Sequence, residues 1–434
     1  MKIESIRLKN FKAFQDVEMS DIPKLCVLVG ANGTGKSSFF SVFGFLRDAL
    51  NGNVNTALAK LGWVRGFDEV VSRNSSGSIE IELKFRKGSE KDSPLITYLL
   101  QIGKRNGHAC VERETLEYRL GGGVKLWFLL DFEDGVGTAV VNEIDVIETG
   151  CEIEREPQNL KSDDILALKG LAQFERFPTA RDLGNFIENW HISDFHVSHT
   201  HNGQDTLSAE HLSRDGENLG SVVQYLFQNH RETFDKILSI MTRRIPGVVD
   251  VKAETDSDGK VLLRFKDGAF NDTFLARFVS DGTIKMLAYL VLLYDPDPFP
   301  LLCVEEPENQ LYLSILSVLV EEFRNYARRG GQVFVSTHSP DFLNAVELDE
   351  VFWLEKKDGY TKIKRAKEDK QIEAYMNDGD KMGYLWKQGL FGGVDPTAEF
   401  ERLKNGQYQH IVGFRSIAPH LSLDNNTSYS LRSD

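Results

Sequence analysis

Between residues 25 and 42 the sequence changes from one hydrophobic pattern to another through a run of glycines. Leu25-Cys26-Val27-Leu28-Val29 is an unbroken apolar stretch, as in a strand covered on both faces. Gly30-Ala31-Asn32-Gly33-Thr34-Gly35-Lys36-Ser37 follows, and Phe39, Phe40 and Val42 then open a helical pattern. Strand, glycine loop and helix in that order predict a phosphate-binding loop in an α/β protein. Glycines at 30, 33 and 35 let successive N–H groups turn into one concavity at a helix N-terminus. The β- and γ-phosphates of a nucleoside triphosphate fit such a concavity. Asn32, Gly33, Gly35, Lys36, Ser37 and Ser38 are the candidate contacts. Lys36 brings a mobile positive charge, and the Ser37 hydroxyl a ligand for Mg2+.

Leu301-Leu302-Cys303-Val304-Glu305-Glu306-Pro307-Glu308 is a second buried strand that ends in acids. In an open α/β sheet the carboxyl ends of parallel strands share one edge, so these acids are expected near the phosphate loop. Glu305 is the candidate Mg2+ holder, and Glu306 the residue that orients or deprotonates an attacking water. Glu308 reads as a helix cap. Phe278-Val279-Ser280-Asp281-Gly282-Thr283 precedes an apolar helix, Thr283–Leu293. Ser280 and the Gly282 backbone there form a second anion-binding end. Phe334-Val335-Ser336-Thr337-His338-Ser339-Pro340 places His338 at a strand end, where its ring could donate to a γ-phosphate. The other histidines have no such placement.

The remaining periodicities divide the chain. Ile3–Leu8 alternates as a strand, with a turn at Asn10–Phe14. Ile79–Phe85, Leu95–Ile102, Thr115–Leu120 and Val124–Leu130 read as strands, with a turn at Gly121-Gly122-Gly123. Helical spacing takes over in Ile165–Phe174, Leu183–Trp190 and Leu219–Met241. No heptad persists, so long coiled-coil arms are not expected. Strands return over Val251–Phe265, around an Asp256-Ser257-Asp258-Gly259 turn. After a helix at Leu311–Ala327 come strands at Gln332–Val335, Val351–Leu354 and Thr361–Arg365. This predicts an N-terminal lobe over residues 1–142, a mainly helical insertion over 143–245, a C-terminal lobe over 246–415 and a flexible tail over 416–434.

The formal net charge of −14 argues against a surface that wraps nucleic acid, while leaving room for a local basic strip. No stretch has the 18 or so apolar residues of a membrane span, and the charged N-terminus is not a signal peptide. A cytoplasmic address is the expectation. Cys26, Cys110, Cys151 and Cys303 lie far apart without metal-type spacing, and are expected to be reduced.

Taken together, Ile6-Arg7-Leu8-Lys9-Asn10-Phe11-Lys12-Ala13-Phe14, Gly30–Ser37, Ser280–Thr283, Glu305-Glu306-Pro307-Glu308-Asn309 and Ser336–Ser339 resemble the ATPase heads of the ABC superfamily, in the branch with SMC, RecF and OLD-family proteins. That resemblance implies an ABC-type P-loop fold, with a mixed central sheet, N-terminal antiparallel strands and a helical insertion. It also implies ATP and Mg2+ as ligands, and ATP hydrolysis. In such families two heads pair head to tail, with ATP held between one phosphate loop and the partner's signature loop, here Ser280–Thr283. Three departures stand out. Glu305 replaces the usual Asp, and Asp281 replaces the Gly of transporter-type members. The about 240 residues between the loop at Ser37 and the signature at Ser280 are too many for a transporter ATPase.

Gln101 is the best candidate for the family's glutamine loop. OLD relatives carry a C-terminal nuclease domain, but only about 95 residues follow His338, and Asp378-Gly379-Asp380 lacks a preceding buried strand. Gly383–Gly393 reads as a packed C-terminal cap, or else as a docking surface. Stand-alone bacterial ATPases of this kind are often encoded beside an effector, commonly a nuclease, in antiphage or toxin–antitoxin-like modules. The resemblance thus implies a sensor or scaffold controlling a neighbour-encoded effector. The alternative is a RecF- or SMC-like DNA-binding ATPase of repair or chromosome maintenance.

Overall fold

The computed structural model describes residues 1–391, apart from 63–65, 89–93, 120–125, 150, 196–203, 206–208 and 258. The glycine turn at 121–123, Asp258 of the later turn, and the tail beyond Ser416 lie outside the described residues. The functional edge belongs to a six-stranded sheet. Its order is Trp190–Ser193, Leu301–Glu305, Gln332–Thr337, Leu25–Val29, Val351–Lys357 and Tyr360–Arg365. The first five strands run parallel and the last folds back antiparallel, so the sheet is mixed, as the resemblance implies.

Every residue of Leu25–Val29 is buried, in keeping with its unbroken apolar run. The helix Lys36–Asn51 covers one face of the sheet with aromatic rings. Phe39 and Phe43 pack on Phe334 with centroids 6.4 and 5.0 Å apart. Phe43 also meets Trp190 edge-on at 5.3 Å. The helices Asp281–Leu293 and Leu313–Arg328 belong to the core on the opposite side, with Val27, Val29, Leu302, Val304, Val333 and Val335.

An eight-stranded antiparallel sheet starts from Phe14–Met19 and Lys2–Phe11 and runs through Ile79–Arg86, Leu95–Arg105 and His108–Arg119. It ends with Leu126–Glu133, Val136–Val140 and Arg155–Asn159. Gln332, itself buried, clips it to the central sheet. Its amide oxygen accepts from Ile3 N–H at 2.9 Å, and its amide nitrogen donates to Ile3 O at 3.0 Å. A smaller sheet of Val248–Thr255, Lys260–Asp267, Thr273–Leu275 and Gln204–Asp205 leads into the signature segment.

The segment 143–245, expected to be a mainly helical insertion, also lends strands to its neighbours. It carries helices, but Arg155–Asn159 extends the antiparallel sheet and Trp190–Ser193 forms an edge of the central one. The helix expected through Trp190 stops at Glu188. Trp190 wedges between Phe43 and Phe186 instead, and that tertiary contact outweighs the local helical spacing. Leu219–Met241 is likewise two helices, Leu219–Asn229 and Arg231–Arg244, broken at His230. The C-terminal segment packs as a cap, since Phe391 is enclosed with Trp353 at 5.6 Å and Trp386 at 6.3 Å. Asp378 and Asp380 sit on an exposed turn behind the helix Lys370–Asn377. Among the described residues no helix is long and apolar enough to cross a membrane.

One buried acid joins the antiparallel sheet to the 143–190 segment. Glu114 accepts from Tyr98 Oη at 3.0 Å and Leu168 N at 2.9 Å, and also from Ala167 N at the start of a short helix. Burial, partly offset by these donors, raises its pKa to about 7. A carboxyl whose folded-state pKa lies above its unfolded value favours the fold most at low pH. That contribution is lost as pH rises through 7. The melting-temperature advantage of wild type over Glu114→Gln is therefore expected to shrink between pH 5 and pH 8. An advantage that grows over that range would contradict the assignment.

Candidate functional site

Register brings the motif residues to one sheet edge. Glu305 pairs with Ser336, and Thr337 with Val29, so Glu306, His338 and Gly30 emerge side by side. The loop from Gly30 has the backbone its glycines imply. Gly33 and Gly35 take φ of 80° and 101°, a region where a Cβ is strained. Lys36 is the first residue of the helix, and its side chain is buried. Its Nζ donates to Gly30 O at 2.8 Å and lies 3.7 Å from Glu306 Oε1. Burial lowers the Lys36 pKa, opposed by Glu306, Glu308 and Glu305. Ser37 Oγ donates to Glu305 Oε2 at 2.6 Å. Asn32 and Gly33 are exposed, and Ser38 lies in the first helical turn.

The two Walker-B carboxylates differ. Burial raises Glu305 above the ordinary range despite the Ser37 hydroxyl. At Glu306 burial pushes the same way but is outweighed by the Asn309 amide, His338 and Lys36, and the net shift is downward. Glu306 has a φ of 42°, unusual for a side-chain-bearing residue, and its N–H donates to Ser336 O at 2.9 Å. Asn309 Nδ2 donates to Glu306 Oε2 at 3.1 Å. His338 Nδ1 lies 3.2 Å from Glu306 Oε1, within ion-pair range but without hydrogen-bond alignment. Glu308 does not cap a helix. It accepts from Thr337 Oγ1 at 2.6 Å and His338 N at 3.1 Å, tying the acidic loop to the histidine strand.

The signature residues stand apart from this cluster. Ser280 caps the helix Asp281–Leu293, its hydroxyl accepting from Thr283 N at 3.3 Å. Ser280 and Gly282 line a separate cleft of about 640 Å³ with Arg244, Gln310 and Tyr312. Gly282 is required there, because a Cβ would fall 2.7 Å from Gln310 O. Large apolar side chains stand in the open near the cleft: Tyr312, in its wall, is 75% exposed, its chain neighbour Leu313 59%, and Phe278, in an adjoining cleft that shares Ser280 and Thr283, 70%.

Gln101 is not a site residue. It donates to Glu80 at 3.0 Å within the antiparallel sheet. Sequence reasoning passed over Lys12 and Asp194. Lys12 turns with a φ of 48°, held by its N–H to Val70 O at 2.6 Å and by Ser72 Oγ on its carbonyl at 2.9 Å. Burial lowers its pKa while Glu305 opposes, so it is a second cation beside the acidic edge. A lysine between Phe11 and Phe14 was the available signal. Asp194 follows the edge strand next to Val304 and faces Glu305 and Lys285 electrostatically. No motif marks it.

Two family models match the chain. One, for an AAA ATPase domain, covers residues 1–193. The other, for an AAA domain described by reference to the AbiEii toxin and the Type IV TA system, covers residues 148–344. No curated protein matches. Among solved structures the chain is similar to an SmcHead bound to the C-winged helix domain of ScpA, at 15% identity and a TM-score of 0.49, covering 84% of this chain and 97% of that one. It is also similar to the SMC head domain from Thermotoga maritima, at 14% identity and a TM-score of 0.44, covering 84% and 99%. A third is the Smc head with an extended coiled coil bound to the C-terminal domain of ScpA derived from Pyrococcus furiosus, at 13% identity and a TM-score of 0.44, covering 86% and 99%. Both family models describe ATPase domains, and with the phosphate loop, the acidic pair and His338 brought to one sheet edge the chain is a P-loop ATPase.

Proposed function

We propose that the chain is an ATP-gated head that pairs with a second copy of itself around ATP and Mg2+. Through that pairing it controls a partner effector, a neighbour-encoded nuclease, in bacterial antiphage defence. The observation that carries the pairing is the separation of half-sites within one chain. Lys36, Ser37, Glu305, Glu306 and His338 share one cluster, while Ser280 and Gly282 line another cleft with exposed Tyr312 in its wall and Phe278 and Leu313 exposed close by in the chain. A second copy set head to tail brings that cleft over the first copy's triphosphate and covers these apolar side chains.

In this reading Asn32, Gly33, Gly35, Lys36, Ser37 and Ser38 grip the phosphates. Ser37 Oγ and Glu305 Oε2, hard oxygens 2.6 Å apart, suit Mg2+, which neutralises phosphate charge when bound. Glu306 orients the attacking water and accepts its proton, its downward-shifted pKa keeping it in the ionised form that a base requires. His338 donates to the γ-phosphate, and Ser280 with the Gly282 N–H closes over that phosphate from the partner. The defence role draws support from the AbiEii and Type IV TA description of the matched family. The net charge of −14 weighs against the DNA-binding alternative.

Three outcomes are expected. Lys36→Ala loses ATP binding, read by calorimetry, and normal affinity would remove the phosphate-loop assignment. Glu306→Gln keeps ATP binding while its turnover falls by about 100-fold or more, read as phosphate release. Wild-type turnover in that variant would end the assignment of Glu306. Light scattering on Glu306→Gln with ATP should give twice the monomer mass, and adding Ser280→Arg should return it to monomer. A mass that ignores ATP would contradict the pairing.

A further inference from the structure

We propose that Thr361, on Tyr360–Arg365, the last strand of the central sheet and the second of its terminal hairpin, is a positioning residue of the phosphate loop, its hydroxyl aiming the Gly35 N–H at the nucleotide. The argument starts from the peptide plane between Thr34 and Gly35. A carbonyl and the N–H of the next residue sit on opposite sides of one rigid trans amide. Whatever holds the Thr34 oxygen outward therefore turns the Gly35 N–H to the other side. Thr361 Oγ1 donates to Thr34 O at 2.7 Å, and Thr361 is fully buried. Its own N–H donates to Ala13 O at 2.8 Å, so its backbone is pinned as well.

Two other carbonyls of the loop are held from within it. Thr34 Oγ1 donates to Ala31 O at 2.8 Å, and Lys36 Nζ to Gly30 O at 2.8 Å. The Thr34–Gly35 amide is held from outside, across more than three hundred residues of sequence. Its setting is stiff. The hairpin strand Val351–Lys357 pairs with the loop's own strand, Trp353 opposite Val29, and Thr361 sits opposite Lys356 on the returning strand. The approach is also close. A Cβ on Gly35 would lie 2.8 Å from Thr361 Oγ1, and one on Gly30 would lie 3.1 Å from Leu354 O. Both loop glycines are moulded against this hairpin. The φ of 101° at Gly35 is the backbone that the mould requires.

A merely structural role would depend on the volume of Thr361, and a positioning role depends on its hydroxyl. Thr361→Val keeps the volume and removes the donor. Thr361→Ser keeps the donor and removes a methyl. The inference rests on Gly30–Ser37 as the triphosphate site, so Lys36→Ala is measured alongside as the reference. Full-length proteins would be titrated with the non-hydrolysable analogue adenylyl imidodiphosphate, with melting temperatures taken without nucleotide and KM and kcat taken for ATP.

Thr361→Val is expected to bind the analogue about tenfold more weakly, the scale of one lost hydrogen bond. Its KM should rise more than its kcat falls, with a nucleotide-free melting temperature close to wild type. Thr361→Ser is expected within about twofold of wild type throughout. If Thr361→Val does not accumulate as folded protein, Thr361→Ala takes its place in the comparison. Wild-type affinity in the hydroxyl-less variant, or an equal loss in Thr361→Ser, would overturn the proposal. Loss in Lys36→Ala without loss in Thr361→Val would overturn the positioning role alone and leave the phosphate loop standing.

Discussion

A strand with no exposed face has to end somewhere, and where Leu25–Val29 ends decides the chemistry of the molecule. It lies between Gln332–Thr337 and Val351–Lys357, with every side chain buried, and is held in register by both neighbours. Such a strand cannot slide without taking apolar residues into water or breaking a ladder. Its last residue therefore fixes the place at which Gly30 opens the phosphate loop. The same ladders set Glu305 and Glu306 beside Ser336, and His338 one residue beyond the partner of Val29. Distances among residues far apart in sequence thus follow from the pairing of three apolar strands.

Polar groups at this edge pair with one another: Lys36 on Gly30 O, Ser37 on Glu305, and Asn309 on Glu306. Three carboxylates, at 305, 306 and 308, act on one buried lysine. Burial favours the neutral form of Glu305, whereas Asn309, His338 and Lys36 together favour the charged form of Glu306. Adjacent carboxylates are thereby pushed in opposite directions, Glu305 toward its neutral form and Glu306 toward its charged one.

How much of this the sequence discloses depends on the range over which a residue acts. The phosphate loop, the acidic pair and His338 are legible because each follows its own apolar strand within a few residues. The mixed sheet is legible only through the family resemblance that these motifs carry. Thr361 and Glu114 are not, since their partners at Thr34, Ala167 and Leu168 are distant and no local pattern marks a buried donor or acid. Trp190 is misread for a related reason. Helical spacing runs up to it from Leu183, yet the space between Phe43 and Phe186 draws it into a strand. The role of Glu308 also changes once its partners at Thr337 and His338 are visible. Local chemistry is written locally, and its scaffolding is spread along the chain.

One chain holds both halves of the chemistry but keeps them in different places, and the account stands on their meeting between copies. Complementation tests that most directly. Lys36→Ala lacks the phosphate grip and keeps its signature, while Ser280→Arg keeps the grip and lacks the signature. Each alone should be inactive. Mixed at equal concentration, they can form one composite site, from the loop of the second and the signature of the first. Recovery of a substantial fraction of wild-type ATP hydrolysis is the expected result. A mixture as inactive as its components, with both variants folded, would contradict a site shared between two copies.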